Sequence, residues 1–140
     1  MIGPIGLDRM NEVLSAVIPM LAPAFEADNW KVGVDDLRQM LTSGGFQLYI
    51  AFDVVRQEIL AALVTEILQY PKAKVFSMAF CGGAELERWA PWIVGLEDLA
   101  REAGCRYTRI AGRRGWGRVF TDYQETHRIY EKDLRDLGSV

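Results

Sequence analysis

Histidine is nearly absent from this chain of 140 residues. It holds one, His127, so a Ser-His-Asp or Cys-His triad would rest on a single ring. A zinc site would have to be assembled from thiolates and carboxylates that show no ligand spacing. Cysteine is scarce too. Cys81 and Cys105 match no metal or disulfide-framework pattern. Two free thiols in a reducing compartment is the reading their spacing favours, with one bridged pair as the alternative. No apolar run reaches the roughly 18 residues that a membrane-spanning helix needs. Met1-Ile2-Gly3-Pro4 lacks the basic run and apolar block of a secretory signal. Internal repeats and low-complexity tracts are missing as well. What remains is the composition of a globular domain, 50% hydrophobic and 25% charged. A chain of this length forms one domain, 1–140, and buries about two thirds of its unfolded surface without a covalent staple.

Charge is divided unevenly along the chain. Residues 1–100 carry 7 Lys/Arg against 13 Asp/Glu, whereas residues 101–140 carry 9 against 6. The basic end includes Arg101, Arg106, Arg109, Arg113, Arg114, Arg118 and Arg128. An arginine-rich end on an acidic protein points to a local site for an anion or an acidic partner. It argues against general affinity for nucleic acid, because the acidic first hundred residues oppose a polyanion surface.

Periodicity divides the chain into elements. Leu7, Met10, Val13, Leu14, Val17 and Ile18 repeat at helical spacing, and Pro19 and Pro23 predict the end of that helix. A second helix is predicted from Asp35 or Asp36 to Ser43, burying Leu37, Met40 and Leu41 and stopping at Gly44-Gly45. The period then changes to two over Phe46–Phe52, with a turn at Asp53–Gln57. Residues 58–68 fit helix or strand on pattern alone, and their β-branched content and hairpin spacing favour strand. After the turn at 70–74, Val75–Cys81 reads as a buried strand that completes an antiparallel meander. Gly82-Gly83 ends the meander and opens the longest helix, about 86–103, with Pro91 as a first-turn residue inside it. A strand at 105–111 follows Gly104 and, reached through a helical crossover, runs parallel to 75–81. A short helix, Trp116–Tyr123, and a final strand, Thr126–Leu134, close the chain.

This order, with Leu99-Ala100-Arg101-Glu102-Ala103-Gly104-Cys105 and the closing Tyr130-Glu131-Lys132-Asp133-Leu134, resembles the GNAT N-acetyltransferase fold group over nearly the whole chain. The implied architecture is α/β (α+β): a mixed sheet with a three-stranded meander, a central-helix crossover to a parallel strand, then a helix and a last strand. Gly112-Arg113-Arg114-Gly115-Trp116-Gly117-Arg118-Val119-Phe120 is also similar to the small, degenerate GNAT-like proteins of tailed phages and prophages.

The resemblance carries two departures. Family members hold acyl-CoA with a Q/R-x-x-G-x-G/A loop, whose backbone N–H groups and helix N-terminus cradle the pyrophosphate. Gly82, Gly83 and Ala84 stand there, without the Gln or Arg and with Glu85 and Glu87 adjacent. Carboxylates in a first turn satisfy the helix terminus themselves. Many members also carry a tyrosine acid in the last helix. Phe120 falls at that position, and a shift of three residues would supply Tyr123.

The leading reading is therefore a GNAT-fold protein without the standard acyl-CoA chemistry and with no cofactor, acting through protein contacts as a phage virion component or accessory protein. Its partner is another virion protein or a second copy of the chain, in the host cytoplasm or the virion. The contact residues are Arg113, Arg114, Trp116 and Arg118, with Trp92, which lies off the apolar helix face. The alternative is an acetyl-CoA-dependent N-acyltransferase with a divergent loop, using Glu66 as base and Tyr123 as acid.

Overall fold

The computed structural model describes residues 1–27, 32–113 and 115–135. It contains a mixed five-stranded sheet in which each strand lies beside the next in chain order, β1-β2-β3-β4-β5. The strands are β1 (Ile2–Pro4), β2 (Gln47–Asp53), β3 (Glu58–Gln69), β4 (Lys74–Gly83) and β5 (Tyr107–Ile110). The first four pair antiparallel, and β5 runs parallel to β4 with Val75 beside Tyr107 and Met78 beside Ile110. The meander and the parallel crossover are as the sequence predicts. β1 is an element the periodicity does not reveal: three residues on the sheet edge, where Pro4 removes no hydrogen bond that the ladder needs.

The helices divide between the two faces. α1 (Met10–Ala27) and α2 (Val34–Ser43) cover one face. Leu14, Val17, Leu21, Phe25, Leu37 and Leu41 pack there on Phe46, Leu48, Val64 and Phe80. The other face meets a helical stretch in three pieces: α3 (Leu86–Trp89), a 3-10 turn (Ala90–Ile93) and α4 (Val94–Glu102). Trp89, Ile93, Leu96 and Ala100 pack there on Tyr49, Leu63, Phe76 and Met78. Pro91 explains the break, since it sits where a first-turn proline is tolerated and the 3-10 turn absorbs it.

Four expectations are corrected. Leu7 precedes the first helix, in a 3-10 turn, and is exposed. The helix itself runs through Pro19 and Pro23, both of which face solvent, while Leu21 and Phe25 continue the buried stripe. A proline inside a helix costs about 3 kcal/mol. Each large apolar side chain buried returns about 1.5–3 kcal/mol, so the packed stripe sustains the helix. The start of the central helix at Leu86 is as the sequence predicts: it follows Glu85, whose φ of +56° is left-handed, and Gly82 and Gly83 are the last pairs of β4, opposite Ala62 and Ala61. Beyond β5, the predicted helix 116–123 is a 3-10 turn over Trp116–Arg118, and 124–134 carries no strand. An alternating pattern yields a strand only where an edge accepts it.

The two glycines set how closely the layers approach. A Cβ added at Gly82 would overlap the Met20 carbonyl oxygen of α1, and one at Gly83 would overlap the Leu60 carbonyl oxygen of β3. Gly82→Ala is therefore expected to lower stability by about 1–3 kcal/mol, the usual cost of overpacking, read by urea unfolding. Gly95→Ala, where an added Cβ meets nothing within 4 Å, is expected to raise stability by roughly 0.5 kcal/mol through helix propensity.

Candidate functional site

β4 and β5 stay together for four residues and then part. Their last pair is Met78 with Ile110, and Ala79 is skipped in the register with β3, since Val64 faces Phe80 while Thr65 faces Met78. That bulge turns the end of β4, residues 79–83, away from β5. Behind it lie Cys81 and the loop 83–86. Burial pushes the Cys81 thiol up to about 12, with the charge of Arg113 acting against the rise. Such a thiol is a packing group and not a nucleophile.

The loop holds an ion-pair cluster that the sequence did not announce. Asp53 ends β2 and is buried, 3% exposed. Its Oδ1 accepts the backbone N–H groups of Val55 and Arg56, at 3.0 and 3.1 Å, as an Asx-type turn. Its Oδ2 sits against the Arg88 guanidinium of α3 and lies 3.6 Å from Arg56 Nε. Glu85 bridges the same two arginines from the exposed side, at 3.7 Å from each. The Arg56 N–H first, then Arg88 and the Val55 N–H, hold the Asp53 carboxyl below its ordinary value, against burial. The one signal in the sequence was Arg88 three residues after Glu85.

Whether this loop suits an acyl-CoA pyrophosphate can be judged from its own donors. The Gly82 and Gly83 positions are filled by Met20 and Leu60 backbone. The Ala84 N–H donates to Leu60 O at 2.8 Å, and Ala84 O accepts from Trp89 Nε1 at 3.1 Å. Glu85 occupies the two nearby guanidiniums, and Glu87 stands in the first turn. A pyrophosphate needs free N–H groups and positive potential. In this loop the Ala84 N–H is engaged by β3 and Glu85 is already seated on both arginines, an arrangement that disfavours a pyrophosphate.

A second network ties the chain past β5 to the central helix. Tyr123 donates its hydroxyl hydrogen to Glu97 Oε2 at 2.7 Å and shares a 2.8 Å hydrogen bond with Thr108 Oγ1 of β5. Burial, then the Glu97 carboxylate, hold the phenol above its usual value. Trp116 and Phe120 pack beside it, with ring centroids 6.4 and 6.5 Å from Trp89. Between this turn and the central helix is a cleft of about 410 Å³, bordered by Glu87, Pro91, Val94, Glu97, Arg118 and Asp122. Neither Glu97 nor Thr108 had any signal in the sequence.

Glu66 lies elsewhere. It pairs with Ser77, which in turn lies beside Arg109, so the three share one sheet face. Phe76 and Thr108 are the neighbours of Ser77 and Arg109 and point the other way, into the core that contains Tyr123. The sheet thus separates Glu66 from Tyr123. Among the arginine-rich residues, Arg113 and Arg118 are exposed, and Arg114 lies outside the described residues. Trp116 and Trp92 are partly buried against the central-helix core. Among the described residues no three His, Cys, Asp or Glu side chains gather as a metal site, and no helix is long and apolar enough to cross a membrane.

No protein-family model and no curated protein matches the sequence. Solved structures do share its fold. A probable acetyltransferase superposes with a TM-score of 0.67 at 12% identity, over 96% of this chain and 97% of that one. An aminoglycoside acetyltransferase from an uncultured soil metagenomic sample, in complex with sisomicin, gives 0.66 at 14%, over 96% of both chains. A GNAT family acetyltransferase of Staphylococcus aureus gives 0.61 at 11%, over 96% and 98%. The fold is that of the GNAT acetyltransferases.

Asp53→Asn separates the ionic role of the cluster from its shape. A carboxyl held below its ordinary value of 3.8 contributes stability that is present above that pH and is lost as pH falls toward the folded-state value. The variant is expected to melt at a lower temperature at pH 7 and to lose less on acidification below pH 4 than the native chain, as thermal melts across a pH series would record.

Proposed function

We propose that this chain is a GNAT-fold protein that works through protein contacts and not through acyl transfer at the loop after β4. The observation that carries the reading is the loop itself, whose glycines receive the chain's own backbone and whose Glu85 sits on Arg56 and Arg88 where an anionic cofactor would need them. The separation of Glu66 from Tyr123 supports it further, because a base and an acid acting on one substrate need a shared face. The contact surface is the arginine-rich stretch with Arg113 and Arg118 exposed, suited to an acidic protein partner. Its narrower form, a phage virion component or accessory protein, rests on the resemblance of residues 112–120.

A second reading, an acetyl-CoA-dependent N-acyltransferase with a divergent cofactor site, is favoured by the fold shared with acetyltransferases and by the parting of β4 and β5 after Met78. Calorimetry and thermal melts with acetyl-CoA distinguish the two. A ligand at 100 times its Kd adds about 2.7 kcal/mol of apparent stability. The expected result is no binding heat and no shift with acetyl-CoA at roughly its millimolar cellular level. A shift that Glu85→Arg enlarges would establish the second reading instead.

Arg113→Ala combined with Arg118→Ala is expected to leave the melting temperature nearly unchanged, since exposed arginines contribute about 0–1 kcal/mol. The same variant is expected to bind a glutamate-rich peptide more weakly, with a shallower salt dependence by fluorescence anisotropy. Equal binding by the variant and the native chain would remove these arginines from the contact surface.

A further inference from the structure

We infer that the outward face of α1 seats a second copy of this chain, with the two helices packed antiparallel about a twofold axis. A surface helix of a globular protein turns charged and polar residues to water. α1 does not. From Val13 to Phe25 the sequence carries no charged residue, and Ser15 is the one polar side chain. That run is about 20 Å of helix. The sheet covers one side of it, where Leu14, Val17, Leu21 and Phe25 are buried. On the other side Ala16, Pro19 and Pro23 are exposed. They belong to a longer row, Arg9, Glu12, Ala16, Pro19, Pro23 and Glu26, whose members are three and four residues apart in alternation and all exposed. Such spacing makes a seam along which a second helix can lie.

The ends of the seam identify the occupant. Arg9 stands in the 3-10 turn that leads into α1, and Glu26 stands in its last turn. An antiparallel copy sets Ala16 opposite Pro19 and Glu12 opposite Pro23, and it brings Arg9 of each chain to Glu26 of the other. Within one chain Arg9 meets Glu12 at 3.7 Å, with the two side chains 64% and 74% exposed. A pair so open to water holds its arginine weakly. A parallel copy would set Glu12 against Glu12 and Glu26 against Glu26, and like charges at a contact oppose it. A lipid surface fits poorly as well, because helices that lie on membranes carry Lys and Arg beside the apolar face, whereas carboxylates flank this one. A single pair of helices is a small interface, so the association is expected to be reversible, with a Kd on the order of 10 μM. This inference does not depend on how the loop after β4 is used.

Sedimentation equilibrium of the full chain, from about 1 to 300 μM, tests it. The apparent mass is expected to rise from the 15.8 kDa of one copy toward twice that value. Pro19→Glu puts a charge at the middle of the seam, at an exposed position where glutamate suits a helix better than proline. Its circular dichroism and melting temperature are expected to hold while its dimerisation weakens about 100-fold. Arg9→Glu and Glu26→Arg are each expected to weaken self-association about tenfold. An equimolar mixture of those two variants is expected to pair as tightly as the native chain, since each then meets the other with opposite charges at both ends. A native chain that stays monomeric throughout the range would overturn the inference and leave the face to a different protein. So would a dimer indifferent to Pro19→Glu, or a mixture that pairs no better than either variant alone.

Discussion

The approach of α1 to the end of β4 constrains everything built around it. Gly82 lets the Met20 carbonyl lie where a side chain would otherwise stand, and Gly83 does the same for the Leu60 carbonyl of β3. With the layers this close, Leu21 and Phe25 reach Phe80, whose ring lies 5.1 Å from that of Phe25. Burial of that stripe carries the helix through Pro19 and Pro23. The same approach sets the shape of the loop, because the chain at Gly82 and Gly83 lies directly against the Met20 and Leu60 backbone. The glycine pair, which stands where family members carry a phosphate cradle, is a packing joint in the folded chain.

The electrostatics of the loop reinforce that packing. Asp53 anchors Arg88 and Arg56 from below, and Glu85 meets them from the solvent side. Two guanidiniums and two carboxylates close a neutral cluster. A buried carboxylate held this way stabilises one arrangement of the β2–β3 turn against α3, which fixes the entrance to the central helix. Nothing in the cluster reaches the cleft at Tyr123, so the two polar networks act at separate places on the same helical stretch.

Much of the fold was legible because period and punctuation agreed. Alternation over 46–52, the buried run over 75–81, the stop at Gly44 and the left-handed Gly104 after α4 all gave their elements correctly. Three kinds of information were not local. The persistence of α1 through its prolines depends on burial against Phe80, forty residues and more away. β1 is a strand because β2 offers an edge, and three residues ending in proline carry no period of their own. The segment after Tyr123 has a strand's alternation but no strand structure, since a strand is a property of a pair. Of the site, the glycines were visible but their use was not. Glu97 and Thr108 became meaningful only when Tyr123 was found between them. The separation of Glu66 from Tyr123 follows from one register, Glu66 with Ser77, which no spacing along the chain encodes.

The edge-on meeting of Trp89 and Trp116 has an optical consequence. One indole is fully buried on the central helix and the other belongs to the turn after β5, and their rings cross at 81°. Fixed aromatic geometry of this kind produces near-ultraviolet dichroism, which vanishes when side-chain packing loosens even if the backbone signal survives. The molecule therefore carries an intrinsic reporter for the docking of residues 116–123, readable without any label. A loss of that signal at constant far-ultraviolet dichroism would mark the turn lifting from the helix while the sheet stays folded.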